Sequence, residues 1–136
     1  MDLTTGEVVQ ARITLITYLR HPGDSSRELV QEALGSYYML LWCFERILAG
    51  RRVLNHSHRW TPSLPAVRFL DSLVRWHLEE WGKDLPVLRR RLGHDLGSLG
   101  IPFLDLRSWS SFENLHVEVL RIPLQQSAPT AGDGSD

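Results

Sequence analysis

The sequence predicts an α+β domain, with two to three helices packed on a small antiparallel sheet formed by the N- and C-terminal segments. Three observations carry this expectation. Residues 7–20 are rich in Val, Ile and Thr, side chains that suit a pleated, half-buried surface. Residues 115–122 alternate: Leu115, Val117, Val119 and Arg121 fall on one side, and His116, Glu118, Leu120 and Ile122 on the other. Between these segments, apolar residues recur at helical spacing from Val30 to Leu48. The alternative is a small all-α bundle, which applies if the first segment is helical.

Taken in order, the first element alternates Ala11, Ile13, Leu15 and Thr17 with Arg12, Thr14, Ile16 and Tyr18. Val8, Ala11, Leu15 and Leu19 fit a helix as well, but the β-branched content tilts the reading to a strand. A turn at His21-Pro22-Gly23-Asp24 follows. Ser25 and Glu28 match a capping box, in which the hydroxyl accepts a first-turn N–H and the carboxylate reaches back. Val30, Leu34, Tyr37, Leu41, Phe44 and Leu48 then keep one stripe on one face, and Gly50 is the expected stop.

Arg51 to Pro65 reads as a loop. A helix over 63–81 places Val67, Leu70, Val74, Leu78 and Trp81 on one face, and Gly82 interrupts it. Asp84 caps a short third helix that ends at Gly93 with Arg89, Arg90 and Arg91 near its C-terminus, where cations suit the helix dipole. Gly93, Gly97 and Gly100 mark an irregular connection, and Ile101–Leu106 is a short extended piece. Two strands alone are marginal, so that piece or a second subunit supplies a third. The C-terminal strand, 114–123, ends at Pro123. Residues 1–124 form one domain, and 125–136, with no large apolar side chain, read as a disordered tail.

Composition narrows the function classes. The chain has 136 residues, 43% of them apolar, enough for one core without disulfide or metal. No run approaches the ~18 apolar residues of a membrane span, and no basic-then-apolar leader opens the chain, so a cytoplasmic protein is expected. The one cysteine, Cys43, lies among Leu41, Trp42 and Phe44 and reads as a buried hydrophobe.

The net charge of −1 conceals a cationic middle. Residues 46–91 hold ten basic and four acidic side chains, leaving five and twelve for the rest. Fourteen of the fifteen basic residues are Arg, which forks onto carboxylates and phosphates and stacks on rings better than Lys.

The candidate partner-binding residues lie in this island: Arg51, Arg52, Arg59 and Trp60 in the loop, and Arg89, Arg90 and Arg91 on the third helix. Arg–Trp sets are the vocabulary of protein interfaces, and basic loops with stacking rings also suit single-stranded nucleic acid. His56 and His58, with His77, are weak metal candidates whose spacing matches no zinc motif. The glycines at 93, 97 and 100 lack the Lys-Ser/Thr of a phosphate-binding loop, and no nucleophile elbow or His-Glu-x-x-His is present.

The resulting expectation is a non-catalytic interaction or regulatory module that needs no cofactor. It meets a protein partner with an acidic surface or a second copy of itself. The alternative is nucleic-acid binding through the 51–60 loop and the 83–91 helix.

Overall fold

The structure, a computed structural model, describes residues 5–21, 23, 26–56 and 64–124. Four helices account for its regular elements: α1 (Thr5–Arg20), α2 (Arg27–His56), α3 (Leu64–Leu99) and α4 (Leu106–Leu120). Among the described residues there is no strand, so the α+β expectation is overturned and the all-α bundle is the fold.

The physical reason is visible at both ends of the chain. In α1, Ala11, Leu15 and Tyr18 are buried at helical spacing, whereas Ile13, which alternation groups with Ala11 and Leu15 and not with Tyr18, is 52% exposed. In α4, Trp109, Phe112, Leu115, His116 and Val119 are buried while Val117 is exposed. Positions 115 and 119 satisfy a strand and a helix equally. Position 117 separates the two, and it faces outward.

α2 begins one residue later than the expected cap. Ser26 Oγ accepts a hydrogen bond from the Leu29 N–H at 3.3 Å, while Ser25 lies outside the described residues. Val30, Tyr37, Leu41, Phe44 and Leu48 are buried along the predicted stripe. The helix does not stop at Gly50 but continues to His56, so the first turn of the expected 51–65 loop is helical.

α3 replaces two predicted helices and a glycine-rich connection with one helix of 36 residues, about 54 Å long at 1.5 Å per residue. Leu78, Trp81, Leu85, Leu88, Leu92 and Leu96 form one buried stripe through the three glycines. Each interior glycine costs roughly 1 kcal/mol against alanine, whereas each buried leucine contributes roughly 1.5–3 kcal/mol. The stripe outweighs the breakers. Pro86 sits inside the helix and leaves the Gly82 carbonyl without its usual intrahelical donor.

The helix ends at Gly100, whose φ of +70° suits glycine. There Gly100 N–H donates to Gly97 O and Ile101 N–H to Leu96 O at 2.9 Å.

α2 is the central helix and touches the other three. It runs parallel to α4 in constant register: Tyr37 meets Asp105, Phe44 meets Phe112 and Arg51 meets Glu118. α3 runs antiparallel to α4, since Arg75 bonds Val119 O and Arg89 bonds Asp105. α1 lies on α2, and its C-terminal end is tied to α3 where Tyr18 donates to Asp95.

Two glycines make opposite predictions. A Cβ at Gly82 would fall 3.1 Å from His116 Nε2, and that ring is held in place by the Ile122 carbonyl at 3.0 Å. At Gly50 a Cβ meets nothing within 4 Å. Thermal melts should therefore show Gly50→Ala stabilising the protein by roughly 0.5–1 kcal/mol. Gly82→Ala should bring no gain, because the contact with His116 consumes it. A gain at both sites would mean that α4 does not seat on Gly82.

Candidate functional site

The arginines of the cationic island are largely bound within the fold. Arg51, only 6% exposed, grips Asp71 with two bonds (Nε to Oδ1 at 2.8 Å, Nη2 to Oδ2 at 3.0 Å). It also donates to Glu118 Oε1 at 3.0 Å. Arg52 meets the other oxygen of Glu118 at 2.7 Å. One cluster thus ties α2, α3 and α4 together.

Arg89 donates to Asp105 Oδ2 at 2.8 Å and stacks over the Trp109 ring at 4.8 Å. Arg91 lies over the Tyr18 ring at 3.7 Å and donates to the carbonyls of Tyr18 and His21, with Asp95 at 3.6 Å. Arg90 is exposed. Arg59, Trp60 and His58 lie outside the described residues, as does the His56 side chain.

A repeated device that the sequence reading missed emerges here. Tyr18–Asp95–Arg91 and Tyr37–Asp105–Arg89 each combine a buried phenol, a buried aspartate and an arginine. Burial first, then the hydrogen bond and charge of the aspartate, raise both phenols well above their ordinary 10.0. The acid–tyrosine separations are 77 and 68 residues, so no local motif could have revealed them. A charged residue at Asp95, falling in register with the leucine stripe of α3, was the available signal.

Cys43 is half-buried, and burial pushes its thiol up against the opposing pull of Arg46. His77 is exposed, edge-on to Trp76 at 5.0 Å. Among the described residues, no group of three His, Cys, Asp or Glu side chains converges as metal ligands would. Among them, too, no helix is long and apolar enough to cross a membrane.

What the surface does offer is apolar. Phe69, Leu73 and Trp76 are 65%, 57% and 49% exposed at i, i+4 and i+7 on α3. Val9 and Ile13 are half exposed at i and i+4 on α1. Arg12 bridges the two helices, with its Cζ 5.4 Å from the Trp76 ring centre.

Two concavities border α2. One, about 300 Å³, lies between α1, α2 and α3. The other is an open trough of about 650 Å³ over Gly35, Tyr38, Met39 and Trp42 of α2, with Leu104 on its far wall. Searches of protein-family models, curated proteins and solved structures find no match to this chain.

Proposed function

We propose that the chain is a non-catalytic interaction module that associates with a second copy of itself through the apolar face of α1 and α3. The observation that supports this reading is the double stripe of Val9, Ile13, Phe69, Leu73 and Trp76. Leaving a Phe, Leu or Trp half in water on one continuous stripe forgoes on the order of 1 kcal/mol apiece relative to burial. A face of this kind is larger than the scattered single apolar residues of ordinary surfaces.

The stripe also suits a two-fold contact. Arg68 lies toward one end of it and Glu79 and Glu80 toward the other. An antiparallel approach of two α3 helices brings Leu73 of each copy to Trp76 of the other and sets opposite charges together at the rim.

The nucleic-acid reading has less support. Arg51, Arg52, Arg89 and Arg91 would have to leave carboxylates, ring faces or carbonyls of their own fold before meeting phosphates.

Sedimentation velocity across the micromolar range tests the proposal. A reversible dimer is expected for the natural chain. Leu73→Asp and Trp76→Asp should each shift it to monomer without loss of helical circular dichroism. A natural chain that stays monomeric at the highest concentration overturns the self-association.

A further inference from the structure

We infer that the cavity between α1, α2 and α3 binds an amphiphile with an apolar chain of medium length and a terminal carboxylate. Its walls and its mouth divide by chemistry. Leu40, Cys43 and Ile47 of α2 line one side, the floor, and Val9 of α1 with Val74 and Trp81 of α3 line the others. All are apolar or thiol-bearing, and none offers a charge to a ligand.

The only charged or basic side chains on its described lining are Arg12 and His77, and both are exposed. Among the described residues no carboxylate lies within ion-pair distance of Arg12, which lies over the ring of Trp76. In the rest of the molecule most arginines of the cationic island are engaged by acids or carbonyls. Here a guanidinium stands beside an apolar cavity, its fork of donors turned to no acid among the described residues. That arrangement accepts a carboxylate at the mouth, while the chain displaces water from the floor.

The volume, about 300 Å³, is at the small end of ligand cavities and suits a chain of medium length. The 650 Å³ trough beside Tyr38 is larger, but no charged side chain lines it. The cavity shares Val9 with the outer stripe, and its Arg12 lies over Trp76 of that stripe, so sedimentation of each variant is read beside its titration to keep ligand binding and self-association apart.

The test is isothermal titration calorimetry of the full chain with hexanoate, octanoate, decanoate and decanol. Decanoate should bind roughly tenfold more tightly than octanoate, since two more methylenes are buried. It should also bind more tightly than decanol, and Arg12→Gln should erase that preference, a change of roughly three- to tenfold. Cys43→Phe or Ile47→Phe, either of which fills the floor, should abolish binding of acid and alcohol alike. Gly35→Leu, which fills the trough instead, should leave binding unchanged. Circular dichroism of each variant confirms that it is folded.

Three results overturn the inference: no heat with decanoate at millimolar concentration, equal affinity for acid and alcohol in the natural chain, or binding lost in Gly35→Leu and retained in both cavity-filling variants.

Discussion

Replacing Asp105 by alanine is expected to lower the unfolding free energy by ~3–5 kcal/mol, the range for removing one partner of a buried ion pair. The Asp105 side chain is 4% exposed and stands at the start of α4. Its carboxylate makes no capping bond to its own helix, because it accepts from Tyr37 Oη at 2.7 Å and from Arg89 Nε at 2.8 Å. One acid therefore joins α2, α3 and α4. Alanine strands a fully buried phenol and a guanidinium together.

Arg89 keeps a partial path to water, which places the cost toward the lower end of that range. Asp105→Asn retains an acceptor for Tyr37 and loses the charge, so its cost should be smaller, about 1–3 kcal/mol. Chemical denaturation of the two variants gives the comparison. An unfolding midpoint for Asp105→Ala equal to that of the natural chain would mean that α4 is not anchored through this acid.

The same unit sets an alkaline limit. The Tyr37 phenol is raised in the folded state, so folding favours its neutral form. A group raised in this way contributes stability that is fully present below its unfolded value near 10 and is lost as pH rises toward the folded value. Tyr18 behaves likewise. Melting temperature should thus fall above about pH 10, and the fall should be shallower in Tyr37→Phe.

The sequence carried the central helix and little of its surroundings. The stripe from Val30 to Leu48 spans more than four turns, long enough for helical spacing to exclude a strand, and five of its six positions are buried. The first and last segments were too short for that. Val, Ile and Thr enrichment tipped residues 7–20 toward a strand, yet Tyr18, set by tertiary contact with Asp95 and Arg91, decides which face is inside.

Gly82, Gly93 and Gly97 read as boundaries because their local cost is visible in sequence, whereas the core stripe they share was cut into pieces by the same reading. The arginines misled in a different way. Clustered along the chain, they resemble a patch, but the acids that bind Arg51 and Arg89 lie at sequence separations of 16 to 67 residues. The exposed stripe at 69, 73 and 76 was legible as an apolar spacing. What the sequence could not supply was that, among the described residues, no other helix covers it.

Phe112→Ala is the second large effect, with an expected loss of ~3–5 kcal/mol. Phe112 is completely buried and sits among three rings: Phe44 at 4.9 Å, Trp109 at 5.6 Å and His116 at 6.4 Å between centres. The Phe44 pair is tilted at 56°, close to the edge-to-face arrangement that adds roughly 0.5–1.5 kcal/mol beyond area alone. Phe44→Ala should cost nearly as much, and the double variant less than the two losses together, because the rings share one contact.

The test also discriminates the architecture. On a strand running from Leu115, Val117 would lie inside with Val119. In the helix Val117 is 45% exposed and Val119 is 3% exposed. Val117→Asp should then change stability by less than about 0.5 kcal/mol, while Val119→Asp should rank with the Phe112 variant. Equal damage at 117 and 119 would restore the strand. A large gap between them, together with coupling of Phe44 to Phe112, fixes α4 parallel to α2 as the element that closes the core.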